Sequence, residues 1–160
     1  MFRIGTGHDT HRLVASRPLI LGGVAIPFER GSDGHSDGDA LTHAIADAIL
    51  GALCEGDLGV HFPDTDPKWK DSNSMELLGR VVWLARERGF EIANLDANVM
   101  LERPKLRGHI GAMRENLATA LNIEVSCLSI KAKTGEGLDA VGRGEAVTAQ
   151  AIVLLKQVLS

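Results

Sequence analysis

Gly5-Thr6-Gly7-His8-Asp9-Thr10-His11 is the stretch from which the fold of this chain is read, lying in an extended run from Phe2 to Leu13. Alternate side chains of a strand share one face, so Asp9 and His11 point the same way and His8 points the other. A carboxylate oxygen and an imidazole nitrogen converging from one rigid strand are two of the three protein ligands that a catalytic zinc site takes, its fourth position staying open. An Asp-x-His pair is also what an ordinary wet strand face carries, and a third ligand is needed to separate the two cases.

Working outward, the 160 residues are one domain's worth of chain and long enough to bury a core. A net charge of −4 excludes the basic face that non-specific nucleic-acid binding needs, so any phosphate site is local. Apolar runs fall short of the ~20 residues that span a bilayer, and the N-terminus lacks a basic segment followed by an apolar one. The chain therefore reads as soluble and intracellular, with neither nucleic acid nor membrane as partner. Cys54 and Cys127, without knuckle or redox spacing, read as reduced core residues of a helix and a strand.

Strand and helix then alternate. Leu19 to Ile26 is a short hairpin turning on Gly22-Gly23 and closed by Pro27. After a polar loop, Ser36 or Asp37 is placed to cap a helix whose apolar face is Leu41, Ala44, Ile45, Ala48, Ile49 and Ala52. Asp39, His43 and Asp47 stand at steps of four and form a polar stripe on it. His43 is the missing third ligand if this helix packs on the first strand, with Asp47 orienting its ring from behind; an exposed face with ordinary ion pairs is the plain alternative.

Residues 55–70, rich in Gly, Pro and Asp, form a connector or a substrate-recognition loop. A helix from about Ser74 to Arg88 stops at Gly89, buries Leu77, Leu78, Val81, Val82, Leu84 and Ala85, and leads into a strand from Phe90 to Leu101 with Ile92, Leu95 and Val99 inward. A third helix covers roughly Gly108 to Leu121. Val125 to Lys133 is a further strand that places Lys131 and Lys133 on one face at its C-terminal end, where ligands of α/β sheets gather. Glu136 between two glycines is either a solvated turn residue or a ligand for an oxygen-loving cation. Ala146 to Leu159 has no clear period and is read as the strand a sheet of this size still needs.

Seven motifs occur in order: Gly-x-Gly-x-Asp-x-His at 5–11, His35-Ser-Asp-Gly-Asp39 with His43 and Asp47 behind it, Gly56-Asp-Leu-Gly59, Phe62-Pro-Asp-Thr-Asp66, Arg103-Pro-Lys105, Thr134-x-Glu136 and Gly142-Arg-Gly-Glu145. Together they span nearly the whole chain and resemble the 2-C-methyl-D-erythritol 2,4-cyclodiphosphate synthases of the non-mevalonate isoprenoid pathway.

The resemblance implies a single α/β (α+β) domain over 1–160, with about four strands in a mixed sheet, helices on one face, and sheets facing the threefold axis of a cytoplasmic bacterial homotrimer. It implies zinc on Asp9, His11 and His43, and magnesium or manganese on Glu136. His35 and Thr134 become transition-state stabilisers. The methylerythritol phosphate falls to Ser36, to Asp57, Leu58 and Gly59, and to Phe62, Pro63, Asp64, Thr65 and Asp66. The cytidine diphosphate end falls to Leu101, Lys105 and Leu106 and to Lys133, Thr134, Gly135 and Glu136, contributed by a neighbouring subunit. Ala140 stands where the family often has an aromatic residue. With Arg143 and Glu145 it is placed at the axis, where an isoprenoid diphosphate is the implied ligand.

The implied reaction is attack of a tethered 2-phosphate on the β-phosphate of the substrate's own cytidine diphosphate, a phosphorus–oxygen lyase reaction that releases CMP. Such chemistry needs positioning and charge neutralisation more than a protein nucleophile. Two other functions are weighed against it. A zinc phosphoesterase would use bound water as nucleophile. A non-enzymatic trimer binding isoprenoid diphosphates would close its zinc site with four protein ligands, and the sequence offers three.

Overall fold

The computed structural model describes residues 1–63, 65–69 and 72–158. Helix α1, Ala40–Leu53, lies directly on strand β1, Phe2–Ala15, and the two glycines of the opening motif explain the fit. A Cβ on Gly5 would stand 1.9 Å from the Ala48 carbonyl oxygen, and one on Gly7 1.9 Å from that of Ala44. Only glycine lets the helix backbone come this close to the strand. On the helix side the contact is flat, because Ala40, Ala44, Ala48 and Ala52 recur at steps of four and are all buried.

Past β1, the hairpin of β2 (Leu19–Leu21) and β3 (Val24–Ile26) turns on Gly22 and Gly23, both at positive φ, as expected for a two-residue loop. Short β4, Arg30–Ser32, pairs with the end of β1. Two further helices, α3 (Ser74–Glu87) and α4 (Ile110–Leu121), alternate with β5 (Phe90–Met100) and β6 (Leu128–Lys133), and β7 (Ala146–Gln157) is the last strand along the chain. The single turns α2 (Leu58–His61) and α5 (Asp139–Gly142) interrupt loops.

The sheet order is β4-β1-β7-β5-β6, antiparallel except for the parallel β5–β6 pair. The four expected long strands are present, with β4 as a fifth at the edge, and the ambiguous last segment is indeed a central strand. Helices α1, α3 and α4 cover one face, joined by a continuous core that includes Ile45, Ile49, Leu78, Leu95, Leu117, Val147 and Val153. The other face is open and carries exposed Phe2, Ile4 and Ile152. No helix among the described residues is long and apolar enough to cross a membrane.

Several local expectations change. The N-cap of α1 is Asp39, neither Ser36 nor Asp37, and Asp39 does not lie on an exposed stripe. It is fully buried and accepts from the Gly22, Gly23 and Thr42 N–H groups and the Thr42 hydroxyl, so it clamps the β2–β3 turn to the helix. In β5 the expected inward residues Ile92, Leu95 and Val99 are buried, and a bulge between Ile92 and Asn94 accounts for the change of parity between them. Val125–Cys127 is a 3₁₀ turn ahead of β6, which leaves Cys127 half-buried, and Cys54 is an exposed left-handed C-cap of α1; neither thiol is a core residue.

Candidate metal centre and substrate clefts

β1 and α1 bring the three sequence-predicted ligands together. Asp9 Oδ2 lies 2.8 Å from His11 Nε2 and 3.0 Å from His43 Nδ1, and the two ring nitrogens are 3.3 Å apart. Around a tetrahedral ion with ligand distances near ~2.0–2.1 Å, ligand atoms sit roughly 3.3 Å from one another. The cluster therefore fits a small divalent ion with little movement, and among the described residues it offers three ligands. His11 Nδ1 lies 2.8 Å from the Asp33 carbonyl oxygen, which accepts only, so the neutral ring carries its proton on Nδ1 and has its lone pair on Nε2, the atom that faces the cluster.

The electrostatics agree with a cation site. Burial works against the charged form of Asp9, yet the His11 and His43 rings beside it hold its carboxyl well below the usual carboxylate range. Burial also disfavours charge on His11, but the Asp9 hydrogen bond and charge raise it overall. The cluster thus holds one firmly ionised carboxylate beside two imidazoles, a donor set suited to a divalent transition ion.

Around it opens a cleft of about 360 Å³ lined by His35, Ser36, Asp47, Asp57, Leu58, Gly59, Phe62, Trp69 and Leu77 besides the cluster itself. Exposed His35 and half-buried Ser36 come from the β4–α1 loop. That loop is pinned by Arg17, a residue the sequence did not single out, which donates to the carbonyls of Ser32, Gly34 and Ser36. The segment expected to be irregular contains α2, capped by Asp57 through the Val60 N–H. Asp47 does not orient His43: it accepts the Leu58 N–H at 2.8 Å, and burial pushes its carboxyl up. Phe62 packs edge-on against Trp69, with ring centroids 5.0 Å apart. Pro63, Thr65 and Asp66 follow in the same loop, where Asp66 accepts the Lys68 N–H, while Asp64 lies outside the described residues.

The other half of the expected site lies elsewhere on the chain. Leu101, Lys105, Leu106, Lys133 and Thr134 line a separate cleft of about 320 Å³ at the ends of β5 and β6, which shares no lining residue with the first. Its floor is apolar, with Leu101 and Leu106 buried, and its rim holds exposed Lys105 and Lys133. Thr134 donates to exposed Glu136, and the Gly135 N–H donates to Glu102. His35 and Thr134 are thus on different clefts. Lys131 points to the open sheet face and pairs with Asp96. Arg143 and Glu145 pair with each other at 3.2 Å, both exposed; Arg143 caps α5 and Gly144 has positive φ, so the pair is made across a turn rather than along an extended segment. Ala140 and Glu145 border a hollow with Arg12 and Arg30.

Comparison with known proteins follows this geometry. The model of the YgbB family matches residues 2–156. A Trichlorobacter lovleyi protein named 2-C-methyl-D-erythritol 2,4-cyclodiphosphate synthase is 57% identical over 153 residues, covering 96% of this chain and 98% of that protein. Among solved structures, the bifunctional IspDF from Campylobacter jejuni superposes with a TM-score of 0.94 at 43% identity over 98% of this chain, which spans 42% of that longer one. A 2C-methyl-D-erythritol-2,4-cyclodiphosphate synthase in a CDP-bound form superposes at 0.90 with 41% identity, covering 96% of this chain and all of that one.

Proposed function

The chain belongs to the YgbB family, and from that premise we propose that it cyclises 4-diphosphocytidyl-2-C-methyl-D-erythritol 2-phosphate to 2-C-methyl-D-erythritol 2,4-cyclodiphosphate with release of CMP, in isoprenoid precursor synthesis. The observation that carries this reading is the Asp9–His11–His43 cluster at the wall of a cleft sized for a small phosphorylated polyol. The 160 residues act as one cyclodiphosphate-synthase domain.

Asp9, His11 and His43 would hold zinc, and Glu136 would hold the magnesium or manganese ion brought with the substrate. These ions supply charge neutralisation at the β-phosphate. The protein's own residues orient the reactants. Ser36, the Asp57–Gly59 turn and the Phe62–Asp66 loop seat the methylerythritol phosphate, and His35 stands at the cleft as a transition-state donor. Lys105 and Lys133 meet the cytidine diphosphate, with Thr134 steadying the β-phosphate. The attacking 2-phosphate is already an anion and already tethered, so holding it in line supplies most of the acceleration.

Because His35 and Thr134 lie on separate clefts of one chain, the reaction needs the second cleft of a neighbouring copy. The exposed Phe2, Ile4 and Ile152 on the open sheet face supply an apolar surface for that association, and a homotrimer satisfies both facts. In the trimer Arg143 and Glu145 lie at the axis, where the arginines receive an isoprenoid diphosphate. The enzyme is a cytoplasmic phosphorus–oxygen lyase. The test is CMP release from the cytidylyl substrate in labelled water: cyclisation leaves solvent oxygen out of both products, and label in a product would replace this reading with a zinc phosphoesterase.

A further inference from the structure

We propose that Ser74 and Asp37 form a relay that fixes the protonation of the His43 ring, so that Nδ1 is free to hold the metal. The inference rests on the metal reading of the cluster and concerns residues on neither strand β1 nor helix α1's inner face. Ser74 is the first residue of α3 and is 1% exposed. Its hydroxyl oxygen lies 2.8 Å from His43 Nε2 and also contacts Asp37 Oδ1, while the other Asp37 oxygen accepts the Ser74 N–H at 2.9 Å.

The direction of these bonds follows from what each group is able to do. An ionised carboxylate only accepts, so both Ser74 protons, on N and on O, are directed at Asp37. The Ser74 oxygen then has only lone pairs for His43, and Nε2 must be the donor. A neutral imidazole with its proton on Nε2 has its lone pair on Nδ1, the atom 3.0 Å from Asp9 and 3.3 Å from His11 Nε2. Ser36 Oγ is farther from Nε2, at 3.2 Å, and already accepts the Gly38 N–H. Asp47, whose spacing on α1 made it the obvious partner, is engaged with Leu58 instead. His11 is set the same way by the Asp33 carbonyl, with the ring nitrogens in opposite roles.

Asp37→Asn probes the direction of the relay. The carboxylate offers one oxygen to the Ser74 N–H and the other to the Ser74 hydroxyl and the Asp39 N–H; an amide has a single acceptor oxygen and cannot serve both sides, so the Ser74 hydroxyl proton is no longer fixed on residue 37 and is free to turn to His43 Nε2. Ser74→Ala removes the relay, and Ser74→Thr keeps the hydroxyl. The measurements are the zinc dissociation constant by chelator competition, the melting temperature of the zinc-free protein, and the imidazole N–H resonances of the zinc-loaded protein. Ser74→Ala and Asp37→Asn are expected to weaken zinc by about 10–100-fold, as loss of an outer-shell partner does, with Ser74→Thr close to wild type. A merely structural role, capping α3, would lower the zinc-free melting temperature and leave the zinc constant alone. Zinc constants within twofold of wild type for both variants overturn the relay while the metal reading stands; a wild type that takes up no zinc overturns both. Should Ser74→Ala fail to fold, the loaded wild type decides: an exchange-protected Nε2–H resonance supports the relay, and a rapidly exchanging one ends it.

Discussion

At the metal cleft each reactive side chain is tied to a distant part of the chain: His11 to the Asp33 carbonyl, His43 to Ser74, and the His35–Ser36 loop to Arg17. At the β5–β6 cleft it is the backbone that is tied at long range, Gly135 to Glu102, whereas Thr134 bonds only two residues on to Glu136 and the Lys105 and Lys133 side chains are exposed. The first region is preorganised by the fold of a single copy. The second offers charged side chains over a shaped apolar floor. If the two clefts are halves of one phosphoryl-transfer site, as proposed, its metal-capable cluster stands where the core is rigid and its lysines at an exposed end.

The contrast is broken most severely at Gly7. A Gly7→Ala Cβ meets the Ala44 carbonyl oxygen at 1.9 Å, a backbone atom that cannot step aside. Loss of at least about 3 kcal/mol in urea unfolding is expected, at the upper end of overpacking effects, together with loss of metal uptake two residues away. Gly137→Ala, beside Glu136, has open space but positive φ, and should cost only about 1 kcal/mol. Equal costs at the two positions would erase the distinction between a rigid and an adaptable cleft.

His43→Ala comes next: zinc and turnover should both disappear while the melting temperature of the zinc-free protein stays near wild type, since a core this large does not depend on a catalytic metal. Stoichiometric zinc by elemental analysis in that variant would remove His43 from the ligand set. Glu136→Gln should do the converse, keeping zinc and losing most turnover because an amide offers the second cation no charged oxygen, with excess manganese restoring part of the rate. Unchanged kcat at ordinary magnesium would leave Glu136 a turn residue.

The smallest effect is expected at Arg143 and Glu145. Arg143 and Glu145 are exposed partners, and such pairs add little to folding, so Arg143→Met should melt as wild type does. What it should lose is any thermal stabilisation by added geranyl diphosphate. If wild type gains none, the axial anion site is absent and the pair is an interface contact.

Much of this was legible because it is local. A period of two put Asp9 and His11 on one face, Gly22-Gly23 announced the hairpin, and the apolar spacing of residues 77–85 defined α3. His43 was reachable since a helix packed on a glycine-bearing strand brings few positions to its far end. The bulge that reverses the inward parity of β5 has no signature in the residues around Ala93, because it is set by pairing with β7. Likewise, nothing in the chain distinguishes Asp39 and Asp47 as one buried clamp and one backbone acceptor.

By itself, then, the sequence determined the alternation of strand and helix, the candidate cluster of Asp9, His11 and His43 and the order of the motifs, for these follow from spacing and residue chemistry within a few turns of chain. Only the tertiary structure decided that Ser74, thirty-one residues beyond His43, orients its ring where neighbouring Asp47 does not, and that His35 and Thr134 face different clefts. The physical reason is that hydrogen-bond partners and cleft membership depend on which surfaces are buried together, and burial couples residues without regard to their distance along the chain.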